Sequence, residues 1–365
     1  MESKIVIGDG VLSKLVNTLA QFHSGKQILL LTQKSLPEHH LQSVLPALAQ
    51  RDFIVSTHTL PDGEEGKSID CLLKIWQKLQ TLNFTRHDTI IAIGGGALTD
   101  AAGFAAATYL RGINFVSVPT TLLSQVDAAI GGKTAINLSG GKNLAGTFYF
   151  AQAIIVDTNT LASLSNEQFT SGLGEIIKYA LIEKTIAEQT DYHPGPKPLL
   201  SALQQFIDEK NKEAHKNSVL LPGIITSCIK MKLAVVAKDP LEVGLRRCLN
   251  LGHTLGHALE KATNYQLTHG QAVSIGLAFV LKLSVDRQQI SKEEANSALD
   301  LLKKAGLPVD LPSTLSIQEI IKPLLQDKKR EGEAITMVLP KERLGFVDYE
   351  TQIKLTEIEA SLRTL

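Results

Sequence analysis

The sequence predicts an N-terminal α/β domain with a largely parallel sheet, followed by a mostly α-helical domain. Over the first ~150 residues, short β-branched or Leu-rich runs alternate with amphipathic stretches. After about residue 165 those runs give way to long helical patterns. A chain of 365 residues is also long enough for two domains at roughly 100 to 200 residues each. The domains are therefore placed at 1–165 and 166–365.

In the first domain QILLLT (27–32), FIVSTHTL (53–60), TIIAIGG (89–95), FVSVP (115–119) and AIIVD (153–157) read as strands. SIDCLLKIWQKLQTL (68–82) has apolar residues at helical spacing, and the Ala-rich ALTDAAGFAAATYL (97–110) predicts a helix packed closely on the sheet. In the second domain TSGLGEIIKYALIEKTIAE, VLLPGIITSCIKMKLAVVAKD, RRCLNLGHTLGHALEKAT and GQAVSIGLAFVLKLSVDRQQ carry the helical pattern. HPGPKP (193–198) cannot continue a helix and reads as a surface loop.

Composition narrows the function classes. Hydrophobic residues at 44% and charged residues at 20% describe a chain that buries a core. Lys plus Arg total 37, as do Asp plus Glu, so no global field favours a nucleic acid or an anionic membrane, and anion binding has to be local. Three widely spaced cysteines, Cys71, Cys228 and Cys248, fit neither a disulfide framework nor a thiolate zinc motif and point to a reducing compartment. The first residues, MESKIVIGDG, lack the pattern of a signal peptide, and no apolar run approaches the ~20 residues of a membrane span. The expectation is a cytoplasmic protein without nucleic-acid or membrane partners.

Three constellations carry chemistry. Gly94-Gly95-Gly96 lies between a strand and a helix, where backbone N–H groups and the positive helix end suit a pyrophosphate, although G-x-G-x-x-G is absent. Asp62-Gly63-Glu64-Glu65-Gly66-Lys67, after the preceding strand, offers carboxylate and ammonium groups to ribose hydroxyls. The segment 118–143 concentrates Thr120-Thr121, Asp127, Gly131-Gly132-Lys133 and Gly140-Gly141-Lys142-Asn143, and each Gly-Gly-Lys sets flexible donors beside an ammonium, as phosphate oxygens require. Glu175 and Lys178 share a helix face, as an exposed pair worth only ~0.3 kcal/mol or as a buried functional one. His253 and His257, four apart, and His269 beyond them suggest a metal site, while Thr254 excludes the metalloprotease H-E-x-x-H. Taken singly, Lys232, Arg246, Asn250 and Asp327-Lys328-Lys329 read as solvated polar residues.

The runs DGEEGKS, GGGALTDAAGFAAATYLRG, VPTTLLSQVDAAIGGKTAINLSGGKN, SGLGEIIKYA, DPLEVGLRRCLNLGHTLGHALE and THGQAV, in this order over residues 62–340, resemble the 3-dehydroquinate synthases of the sugar-phosphate cyclase family. The resemblance implies a Rossmann-like domain for NAD and a helical domain for a divalent metal, zinc or cobalt. It implies conversion of 3-deoxy-D-arabino-heptulosonate 7-phosphate to 3-dehydroquinate and phosphate in the shikimate pathway of aromatic amino acid biosynthesis. NAD would be recycled through transient oxidation, phosphate elimination, reduction and intramolecular aldol closure.

Residue by residue, the resemblance implies Glu175, His253 and His269 as metal ligands, with His257 moving from the ligand pair to proton transfer. Lys133, Lys178, Asn250 and Asp127 would join His257 in catalysis, and Asn143, Lys232, Arg246 and Lys328 or Lys329 would bind substrate. Arg111 would reach a phosphate across a homodimer. NAD contacts would fall at Glu64, Lys67, Gly95, Gly96, Asp100, Thr120, Thr121, Asp127 and Lys142. Departures from the family pattern include Ala97-Leu98-Thr99, Ala128-Ala129, Gly174, and Gln271 after His269-Gly270, the last predicting a weaker hydrogen bond behind the metal site. The alternatives are a related sugar-phosphate cyclase and a metal-dependent polyol dehydrogenase.

Overall fold

The computed structural model describes residues 3–209, 212–325, 330–331 and 334–365. The chain forms two compact units, Met1–Ser165 and Asn166–Leu365.

The first unit runs β1 (Lys4–Gly8), α1 (Leu15–Leu19), β2 (Gln27–Gln33), α2 (Glu38–Ala49), β3 (Ile54–Leu60), α3 (Ile69–Thr81), β4 (Thr89–Gly94), α4 (Gly96–Thr108), β5 (Asn114–Pro119), β6 (Lys133–Leu138), β7 (Gly141–Phe148) and β8 (Ala153–Asp157). Six strands form one parallel sheet in the order β1-β8-β5-β4-β2-β3. Every residue of β4 and β8 is buried, as the uninterrupted apolar runs of a sheet covered on both faces require. Leu15 and Leu19 pack with Ile28, Leu30, Leu48, Ile91 and Ile155 in the core. The Ala-rich α4 lies so close to β6 that a Cβ on Gly103 would sit 2.5 Å from Thr134 Cγ2, which explains its small residues. Strands β6 and β7 form a separate antiparallel hairpin in a segment that sequence pattern marks only as ligand-binding.

Asp88 ties β2 to the turn before β4. Its Oδ1 accepts from the N–H groups of Lys26 (3.1 Å) and Gln27 (2.9 Å), and its Oδ2 accepts from Thr85 N–H (2.7 Å) and Oγ1 (2.8 Å). Burial opposes ionisation, but these donors outweigh it and hold the carboxyl below its ordinary value. A group shifted this way stabilises the fold above the unfolded-state value, and the contribution is lost as pH falls through the folded-state value. Asp88→Asn is expected to cost about 2 kcal/mol at pH 7. The gap between the wild-type and variant denaturation curves should narrow as pH drops below 4 or so.

The second unit contains α5 (Asn166–Ala180), α6 (Glu183–Gln189), α7 (Leu199–Ile207), α8 (Leu221–Lys238), α9 (His253–Ala262), α10 (His269–Asp286), α11 (Lys292–Lys304), α12 (Ile317–Leu325), β9 (Arg330–Glu331), β10 (Ala334–Pro340), β11 (Val347–Lys354) and α13 (Leu355–Leu362). Two stretches that read as continuous helices are divided. One breaks between α5 and α6, and the other at Gly252, whose φ of 76° starts α9 afresh at His253. A small antiparallel sheet, β11-β10-β9, adds strands to a region whose pattern is dominated by helices. HPGPKP is a loop. Cys71, Cys228 and Cys248 are buried and in no disulfide, and burial pushes the Cys248 thiol up to about 12. Among the described residues no helix is long and apolar enough to cross a membrane.

Candidate active site

In the first unit the register sets Gly94 of β4 beside Pro119 of β5. The two strand ends therefore open together: Thr120 N–H donates to Gly94 O (2.9 Å), and Gly95 N–H donates to Gln33 Oε1 (2.8 Å) at the end of β2. A Cβ on Gly96 would come 2.9 Å from Ala128 Cβ, and one on Gly95 would come 3.3 Å from Thr121 Cγ2. Helix α4 then starts with no side-chain cap and no acidic residue in its first turn. Its leading N–H groups and positive dipole end suit an oxyanion at the carboxyl edge of a parallel sheet. Gln33 carries no sequence signal; only strand order brings it here.

Beside this edge lies a polar network. Lys67 is 3% exposed. Its Nζ donates to Asp100 Oδ2 (2.6 Å) and, by a very short contact, to Asn143 Oδ1. Glu64 accepts from Asn137 Nδ2 (2.6 Å) and pairs with Lys142 Nζ at 3.3 Å. The second Gly-Gly-Lys makes the turn of the β6–β7 hairpin, and Asn143 follows at φ 56° with its N–H on Asn137 Oδ1 (2.9 Å). The first sits at φ 90° and 72° just before Lys133, which is exposed. Asp127 lies in a single π turn, Ser124–Ala128, anchored by Thr121 and Ser124. Ala128 and Ala129 line a small cavity with Thr99, Asp100, Ser117 and Lys133.

Lys67 thus clamps the 63–67 turn, α4 and the hairpin together. Lys67→Met removes the buried ammonium that holds the half-buried Asp100 and is expected to destabilise the protein by ~2 kcal/mol, read as a shift in the denaturation midpoint. Arg111 stands outside this network. It is exposed at φ 63° directly after Leu110 at φ 49°, and Arg86 Nε donates to the Leu110 carbonyl (3.0 Å).

In the second unit Glu175 is fully buried on α5. Its Oε1 lies 3.3 Å from His253 Nε2 at the start of α9 and 3.3 Å from His269 Nε2 at the start of α10. Its Oε2 is in close contact with Lys178 Nζ, 1% exposed, one turn along α5. Burial by itself would keep Glu175 protonated; the Lys178 ammonium, with the two imidazoles, outweighs it and holds the carboxyl well below the usual range. Burial lowers His253, whereas His269, half-buried, is pushed up to about 10 because Glu175 and Glu260 outweigh its desolvation.

These groups fit a divalent cation. His253 Nδ1 faces the Leu251 carbonyl at 3.1 Å, so it carries the proton and turns the Nε2 lone pair toward an ionised oxygen. Two acceptors face each other there, and Glu175 Oε1 has no aligned hydrogen-bond donor. Two imidazole nitrogens and a carboxylate, with ligand atoms within 4.8 Å of one another, are a zinc-type donor set that leaves positions for substrate. His257 lies outside this trio, exposed, its ring 5.4 Å from that of His253 and 6.1 Å from that of His269.

The reading of Lys232, Arg246 and Asn250 as solvated is overturned. Lys232 is 5% exposed, Arg246 1%, and Asn250 is half-buried. The reason is a loop that sequence pattern does not reveal. Asp239 accepts from the N–H groups of Val243 (3.0 Å), Gly244 (2.7 Å) and Arg246 (3.0 Å), curling the chain so that the Arg246 Nη1 donates to Pro240 O (2.8 Å). Glu242, at φ 60°, receives Asn250 Nδ2 at 2.7 Å. Asp239 and Glu242, which shape this loop, carry little sequence signal beyond an acidic residue before Pro. The Gln271 side chain closes a capping box with Thr268 at the start of α10. Asp327, Lys328 and Lys329 lie outside the described residues.

Models of the 3-dehydroquinate synthase N-terminal and C-terminal domains match residues 57–171 and 172–330. The chain belongs to the 3-dehydroquinate synthase family. The 3-dehydroquinate synthase of Acaryochloris marina is 36% identical over 99% of this chain and 95% of its own length, and that of Ruthia magnifica is 38% identical over 93% and 89%. Among solved structures, 2-deoxy-scyllo-inosose synthase complexed with carbaglucose-6-phosphate, NAD+ and Co2+ aligns with TM-score 0.84 at 24% identity, covering 99% of this chain and 96% of that one. The 2-epi-5-epi-valiolone synthase of Streptomyces hygroscopicus, with NAD+ and Zn2+ bound, gives 0.84 at 24% over 100% and 96%. The fold extends at TM-score 0.66 and 16% identity to a probable glycerol dehydrogenase of Sinorhizobium meliloti, over 100% and 96%.

Proposed function

We propose that the chain catalyses the 3-dehydroquinate synthase reaction, converting 3-deoxy-D-arabino-heptulosonate 7-phosphate to 3-dehydroquinate and phosphate with NAD recycled. The observation that carries this reading is the cluster of buried Glu175 and His253 with half-buried His269, and Lys178 against it, in a chain of this family. Zinc or cobalt would be held by those three ligands, and NAD by the glycines and α4 with Glu64, Lys67, Asp100, Thr120, Thr121, Asp127 and Lys142. Metal and NAD supply, respectively, a Lewis acid that acidifies a bound hydroxyl and a reversible hydride acceptor.

The chain's own residues do the rest. His257, exposed beside the metal ligands, can take the hydroxyl proton and pass it to solvent. Within the second unit, Lys178, Lys232 and Arg246 present buried or nearly buried cations to a substrate with a carboxylate and a phosphate. Holding Arg246 by its backbone and Asn250 through Glu242 orients both before substrate arrives. The same reading places the chain in the cytoplasm as a phosphate-eliminating lyase of the shikimate pathway. It makes the chain a homodimer in which the exposed Arg111 reaches the second copy.

The test incubates purified protein with the heptulosonate phosphate, a divalent metal and NAD at a small fraction of substrate. Phosphate release that far exceeds the NAD supplied is expected. Absence of release, or NADH accumulating in step with product as in a polyol dehydrogenase, overturns the reading.

A further inference from the structure

The two imidazoles that face Glu175 are held from behind in different ways. His253 uses a backbone carbonyl, that of Leu251 at 3.1 Å. His269 has Glu260 instead, with Nδ1 3.6 Å from Oε2. Glu260 is 6% exposed and sits near the end of α9, whose first residue is His253. One ten-residue helix therefore carries a ligand at its start and, two turns on, the carboxylate that addresses the other ligand. A carboxylate buried this far from water costs several kcal/mol unless it meets a donor or a charge. The imidazole edge of His269 is one such partner, at ion-pair distance. Gln271 is not an alternative, since its side chain is committed to the α10 cap.

We propose that Glu260 is a positioning residue of the metal centre. By facing Nδ1 of His269 with a carboxylate it favours the tautomer with the proton on Nδ1, which leaves Nε2 as the ligand atom, and it sets the ring's angle toward Glu175. The inference rests on the metal-centre reading above. It competes with a different use of the same residues, because His257, Glu260 and His269 also offer ligand atoms within 4.8 Å of one another and could hold an ion of their own.

The experiment titrates metal-free protein with Co2+, measuring stoichiometry, affinity by chelator competition and the visible absorption of bound cobalt. Wild type is expected to bind one equivalent. Glu260→Ala should weaken Co2+ by 10- to 100-fold and shift the cobalt bands, and Glu260→Gln, which keeps an oxygen at the same place, should fall between the two. If Glu260→Ala does not fold by circular dichroism, Glu260→Gln decides the matter through the same affinity and spectrum. Wild-type affinity and bands in the folded variants overturn the positioning role while leaving the metal centre intact. A second equivalent in wild type that the variants lose makes Glu260 a ligand and also overturns it. Failure of wild type to bind one equivalent overturns the metal-centre reading, and this inference with it.

Discussion

His253→Ala is expected to abolish stoichiometric binding of a divalent metal and to lower turnover by about 10³-fold or more. Lewis-acid stabilisation of a developing alkoxide is worth several kcal/mol, and each 1.4 kcal/mol or so is a factor of ten in rate. The fold should tolerate the change, because the imidazole removed is one whose lone pair faces a carboxylate rather than a donor. The more obvious Glu175→Gln is a poorer probe. It would leave the Lys178 ammonium, 1% exposed, without its counter-charge, and loss of one partner from a buried pair costs ~3 kcal/mol or more of stability. Metal analysis of the purified variant, with phosphate-release kinetics and a melting curve, checks the prediction. Full activity with one bound metal would remove His253 from the ligand set.

Gly270→Ala is expected to destabilise the second unit by ~3 kcal/mol or more, lowering its melting temperature by roughly 6–12 °C or preventing soluble expression. A Cβ there would lie 1.9 Å from the Ser171 carbonyl oxygen and 2.5 Å from its carbon, both backbone atoms of α5. The Gly270 N–H also donates to Ser171 Oγ at 3.0 Å. Gly174 meets the same point from the other side, with Gly270 O 2.8 Å from where its Cβ would stand. The approach of α5 to α10 sets the distance between Glu175 and His269, so any variant that folds should also bind metal more weakly. Gly223→Ala is the control: an exposed position in α8 with nothing within 4 Å of the added methyl, expected to be neutral or stabilising by up to ~1 kcal/mol. Equal melting temperatures for the Gly270 and Gly223 variants would sink the argument.

The parallel strands were legible because a sheet covered on both faces demands unbroken apolar runs, and QILLLT, TIIAIG and AIIVD supply them. The edge strand β1 and the late pair β10–β11 were not, since short or half-exposed strands lack that run and sit among helical patterns. Helical periodicity placed Glu175 and Lys178 on one face without distinguishing a solvated pair from a buried one. It equally favoured His253 with His257, because spacing along one helix says nothing about what a second helix brings opposite.

From residue order alone the chain declares an α/β unit, a helical unit, strand-to-helix glycines and a stock of histidines, carboxylates and lysines suited to anions and a metal. Those features are local and depend on periodicity, turn chemistry and side-chain type. Only the tertiary structure buries Lys232 and Arg246, delivers Gln33 to Gly95 and sets Glu260 behind His269. Each of these joins residues far apart in sequence. Their encounter is determined by strand order, by the close approach of helices at glycines, and by a loop curled around Asp239, none of which leaves a periodic trace in the chain.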